Sequence, residues 1–188
     1  MKRFAVGIAT AVLLSSPVAA AAQVTPADFI RPDSTELDSL SQSYKDALLL
    51  LRDTLTTVQA SVSSFRRVLA QGGAETVVNR ARSLHAKCGR AVVTVREMEP
   101  TFSASRAPDD RVREQSVELT RQMRTLRGDL DENCGALAPE GPGERADTLR
   151  AWGPYYSSRI DRALVAYYES VARFLKAADF KLEPPTPS

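Results

Sequence analysis

Four times along this chain, apolar residues recur in alternating steps of three and four, a period that suits only a helix. The first stripe is Tyr44, Leu48, Leu51, Leu55, Val58, Val62, Phe65 and Leu69. The second runs Val77, Ala81, Leu84, Cys88, Ala91, Val95 and Met98, and the third Val112, Ser116, Leu119, Met123, Leu126, Leu130, Cys134 and Leu137. The fourth runs Tyr156, Ile160, Leu164, Tyr167, Val171, Phe174 and Ala178. At ~3.6 residues per turn such residues line one face of an α-helix. A half-buried strand would need a period of two, which no segment sustains. Seams of this coiled-coil kind are buried when helices pack lengthwise, so the expected fold is all-α, an antiparallel four-helix bundle.

Breaks of known chemistry separate the stripes. Asp33 with Glu36 three residues on reads as a capping box, so the bundle domain is expected over residues 33–181. Gly72-Gly73 ends the first helix and Pro100 the second. Thr101 to Ala107 reads as a polar linker, after which Pro108, Asp109 and Asp110 suit the first turn of a third helix. The run from Pro139 to Gly143 is a further break, and the last helix is expected from near Glu144, kinked near Gly153-Pro154. An irregular arm, residues 23–32, precedes the domain, and a disordered Pro-rich tail, residues 182–188, follows it.

The first 22 residues follow a different logic. Lys2 and Arg3 precede an apolar run from Phe4 to Leu14, and Val18 to Ala22 supplies small residues for an A-x-A site. This order is that of a secretory signal peptide cleaved after Ala22, and the run is shorter than the ~20 residues of a membrane span. The expected address is periplasmic or extracellular. Loss of Lys2 and Arg3 leaves 23 basic against 23 acidic residues, from 25 and 23 in the whole chain. With that balance and alternating signs along the helices, nucleic acid is not an expected partner. Gln23 to Ser188 suits one domain, and no later run is apolar over the ~18 residues a span requires.

In an exported chain, Cys88 and Cys134 are expected to form a disulfide, since both lie on inward stripes. In a simple antiparallel pair of helices, however, the two positions differ in level by roughly 20 Å, while a bridge needs Cα atoms within ~7 Å. The bond therefore requires an extended linker that carries the third helix about 20 Å past the end of the second.

Reactive chemistry is sparse. C-x-x-C-H, G-x-S-x-G and H-E-x-x-H do not occur, and neither a cofactor nor a metal site is expected from one histidine and two oxidised cysteines. His85 sits beside the second stripe, where a neighbouring carboxylate or water would satisfy it. An interior active site would need charged groups pointing inward, and the stripes are interrupted only by serines. The aromatic residues Trp152, Tyr155, Tyr156, Tyr167 and Tyr168 gather on the last helix, and such side chains often form contact surfaces. One member of each tyrosine pair is expected to pack inward and the other to lie at the boundary. The resulting expectation is a non-enzymatic exported protein that binds a protein or envelope component. A bundle that binds a small molecule or cofactor through the same aromatics is the alternative, and a secreted enzyme with an interior polar site the weaker one.

Overall fold

A computed structural model describes residues 39–138 and 145–179. The expected leader, arm, Asp33 cap, Pro139–Gly143 break and tail lie outside the described residues. Four helices follow in order: α1 (Ser39–Gln71), α2 (Ala74–Met98), α3 (Asp110–Gly135) and α4 (Ala146–Ala177), with no strand among the described residues. They run up, down, up and down, with each packed on its neighbours in sequence and α1 also against α4. The expected antiparallel bundle is the fold.

The stripes are its core. Leu51, Leu55, Val58, Val62 and Phe65 of α1 face Val77, Ala81, Leu84, Ala91 and Val95 of α2, and all are buried. Leu119, Met123, Leu126 and Leu130 of α3 join Ile160, Leu164, Val171 and Phe174 of α4. Stripe members nearest the ends, such as Leu48, Leu69, Met98 and Ala178, pack on the flank of this core. Burial of a large apolar side chain contributes roughly 1.5–3 kcal/mol, so this interior is the main stabilising element.

The helices differ in length, and that difference organises the molecule. α1 and α4 have 33 and 32 residues, whereas α2 and α3 have 25 and 26. α2 and α3 are also offset along the bundle axis. Glu99, at the end of α2, pairs with Arg124 at 2.6 Å and with Arg127 at 3.2 Å. Arg124 lies fourteen residues into α3, so α3 runs about 21 Å past the end of α2. That offset brings Cys88 level with Cys134, each about three turns from the Glu99–Arg124 contact. Their Sγ atoms lie 2.11 Å apart and their Cα atoms 6.2 Å apart, at disulfide distance.

The linker achieves the offset differently from the expected extended chain. Glu99–Phe102 and Ala104–Arg106 form two short 3-10 turns, which at ~2 Å per residue cover about 14 Å, and the more extended backbone at Ser103 and Ala107 supplies the rest. Nor is the linker simply polar: Phe102 is fully buried (0 % exposed). Where α2 has ended, Phe102 takes its place in the bundle. Its ring stacks on Tyr44 at 5.6 Å and meets Phe174 edge-on at 5.4 Å, while Phe174 also meets Tyr44 at 5.2 Å. The Thr120 hydroxyl donates to the Phe102 carbonyl at 3.2 Å, which ties the linker to α3. Asp109 rather than Pro108 opens α3: its carboxylate caps the helix by accepting from the Val112 amide at 2.8 Å.

α4 begins at Ala146, two residues after the expected Glu144, and continues as one helix through Pro154. Gly153 is accounted for by packing. A Cβ there would stand 2.8 Å from Leu69 Cδ1 and 3.0 Å from Phe65 Cζ, so glycine lets α1 and α4 approach here without displacing either side chain. Gly72 works similarly at the α1–α2 turn, where a Cβ would meet the Val68 carbonyl oxygen at 2.7 Å.

Candidate functional site

The first turns of α4 present an aromatic face on a rigid base. Leu149, Gly153, Ser157 and Ile160 form the buried side of this segment. One turn further on, Arg66 of α1 donates from Nε to Ser157 Oγ at 3.0 Å and from Nη2 to Ser158 Oγ at 3.4 Å, and it pairs with Asp161. At the top of the bundle, Arg150 Nη2 donates to the Gly72 carbonyl at 2.9 Å. The helix is therefore held to α1 by polar contacts on both sides of the Gly153 approach.

From this base Trp152 and Tyr155 project outward, 56 % and 52 % exposed, and they are the exposed aromatic residues among those described. Their rings meet edge-to-face at 6.5 Å, and Tyr155 meets the half-buried Tyr156 at 5.5 Å. Tyr156 also packs against the core. The three rings thus form a short ladder from core to solvent, with Trp152 at its outer end. Edge-to-face pairs of this kind contribute about 0.5–1.5 kcal/mol beyond their burial, which limits how far the exposed rings wander.

Tyr167 and Tyr168 do not belong to this face. Both are 2 % exposed, so the expectation that one of each adjacent pair lies at the boundary fails here. The reason is packing: Ala163, Leu164, Tyr167, Tyr168, Ser170 and Val171 are all buried, so this part of α4 buries a wide face. Burial pushes both hydroxyls well above the ordinary phenol range, and they stay neutral.

His85 Nδ1 lies 2.9 Å from the Cys134 carbonyl oxygen. A carbonyl can only accept, so Nδ1 carries the proton and donates. A backbone group thus takes the place of the expected carboxylate or water, because α3 ends beside α2 here and leaves that carbonyl within reach. Among the described residues, no group of three or more His, Cys, Asp or Glu side chains could hold a metal ion. No described helix is long and apolar enough to cross a membrane.

Two recesses at the lower end escaped the sequence reading. One, of about 670 Å³, opens between Leu40 and Tyr44 of α1, the Pro108–Val112 segment, and the end of α4. A second, of about 280 Å³, lies between α3 and α4 beside Arg111 and Arg173. Their lining residues come from distant parts of the chain and follow no local motif. The aromatic ladder stands at the opposite end of α4 from both. The chain matches no known protein family, no curated protein and no solved structure.

Proposed function

We propose that this is an exported, non-enzymatic binding protein that holds a protein or envelope component against the Trp152–Tyr155 face of α4. The observation that carries the reading is the exposure of these two rings on a helix whose other aromatic side chains are buried or half-buried. Tryptophan and tyrosine supply large contact area at small entropic cost, and they dominate the energetics of recognition surfaces. Export rests on the leader-like order of residues 1–22, and the Cys88–Cys134 pair suits an oxidising compartment. Ser61, Ser116, Asn133, Ser157 and Ser170 are the buried polar side chains described, and none carries a charge for catalysis. That favours recognition at the surface over chemistry inside the bundle. The small-molecule alternative is less favoured because both recesses lie far from the ladder.

The test uses the processed, secreted chain and a Trp152→Ala/Tyr155→Ala variant in envelope cross-linking. Tyr168→Ala is unsuitable as a control because it would open the core. Loss of a defined cross-linked partner in the double variant, with unchanged thermal unfolding, is the expected outcome. An identical cross-linking pattern in both proteins would remove the aromatic face from consideration. Trp152 is the only tryptophan, so its emission reports directly on whether a candidate partner covers it.

A further inference from the structure

The lower ends of α3 and α4 bring together cations that are scattered in sequence. Arg111 and Gln115 stand one turn apart on α3, and Arg173 and Lys176 one turn apart on α4. The antiparallel packing places them around the recess of about 280 Å³, with Ala177 completing the lining. No carboxylate lines it.

The carboxylates nearby are already engaged. Glu118 accepts from Arg121 at 2.7 and 2.9 Å and from Gln122 at 3.0 Å. Its approach to Arg173 is 3.9 Å, beyond hydrogen-bond reach. Asp110 is paired with Arg113. Among the described residues, the side chains of Arg173, Lys176 and Gln115 donate no hydrogen bond, and Lys176 has no ion-pair partner. Arg111 gives Nε and Nη2 to the Ala177 carbonyl at 3.1 and 2.7 Å, so its Nη1 is uncommitted.

Helix-end chemistry explains only part of this arrangement. The carbonyl end of α4 is partly negative, and a cation beside it is stabilising. Arg111 fulfils that need and covers the carbonyl that would otherwise repel an anion. Arg173, which shares Glu118 with Arg121 across 3.9 Å, and the unpaired Lys176 add further positive charge to a concave surface that no carboxylate lines.

We infer that this recess binds a phosphate group, either as the free ion or as the headgroup of an anionic phospholipid. Donors converge on it from two helices, and guanidinium groups match phosphate oxygens in geometry as well as charge. The site is open to solvent, so binding weakens as salt screens it.

The experiment titrates inorganic phosphate into the ¹⁵N-labelled chain, produced with its leader and purified as the host processes it. Sodium chloride at matched ionic strength is the reference. Saturable shifts of the Arg111 and Arg173 Nε–H and Gln115 side-chain signals are expected with phosphate alone, with affinity falling about tenfold in Arg173→Gln/Lys176→Gln. Should the double variant fail to fold, Lys176→Gln alone gives the same comparison with a smaller loss. A parallel arm measures retention on phosphatidylglycerol against phosphatidylcholine vesicles. Selective retention that the variant loses, without saturation by free phosphate, identifies the headgroup as the source. Equal response to chloride and phosphate with no vesicle selectivity, or a variant that binds as well as the parent, overturns the inference.

Discussion

Glu99, at the end of α2, meets Arg124 of α3 at 2.6 Å, and this contact marks how far the two helices are displaced along the bundle. Below it α2 is absent, and the bundle is completed by a linker.

The linker's contribution to that core rests on one side chain. Phe102→Ala would leave a void between the Tyr44 and Phe174 rings, with no helix at that position to close it. The expected loss is about 3–5 kcal/mol, typical for truncating a buried phenylalanine. Equilibrium denaturation with the native bridge retained measures it. A loss below about 1 kcal/mol, as at exposed sites, would mean that the linker is not part of the core.

Removing the bridge tests whether it sets the displacement or only secures it. Cys88→Ser/Cys134→Ser is expected to lose at most about 4 kcal/mol in the chain-entropy description. The bundle should keep its helical content, since Glu99, Phe102 and the stripes specify the same register. Denaturation of the parent with and without reductant should reproduce the difference. A parent insensitive to reductant would show that no bridge had formed.

The glycines separate into two kinds. Gly153→Ala forces a methyl group against Leu69 and Phe65 and should destabilise by about 1–3 kcal/mol, as overpacking does. Gly89 and Gly128 lie within α2 and α3 with nothing within 4 Å of an added Cβ. Alanine at either should stabilise by about 0.5–1 kcal/mol, because glycine loses more backbone freedom on folding. Thermal unfolding of the three variants checks the opposite signs.

Acid should reveal Glu118. Hydrogen bonds from Arg121 and then Gln122 lower its pKa from the ordinary 4.5 to about 2. A carboxyl depressed by folding favours the native state above its unfolded pKa, and that contribution disappears as pH falls from 4.5 towards 2. Glu118→Gln should therefore lower stability modestly at neutral pH and flatten the acid limb, so that parent and variant converge as pH falls from 4.5 towards 2. The partners are solvated, so added salt should shrink the effect. A parallel acid limb in parent and variant would contradict it.

How much of this was legible depended on whether the signal was local. The three-and-four spacing from Tyr44 to Leu69 is a property of one helix, and its inner residues are buried. The displacement of α3 was legible as well, because joining Cys88 to Cys134 leaves no other geometry. Phe102 was missed because burial there depends on where a different helix stops. It is nevertheless the one large apolar residue between Pro100 and Pro108, and that was the available hint. Tyr168 was misplaced for a related reason: periodicity locates a narrow stripe, whereas α4 at that level buries a wide face. Arg111 and Lys176 lie 65 positions apart in sequence and meet only because α3 and α4 run antiparallel.

The Cys88–Cys134 pair closes a covalent ring that spans 46 positions and contains the whole of the linker. A protease that nicked the chain between Glu99 and Asp109 would therefore release no fragment, since both cut ends belong to the same ring. The aromatic plug and the helices on either side would stay tethered. The segment that interrupts the helices is also one whose severing the molecule can survive.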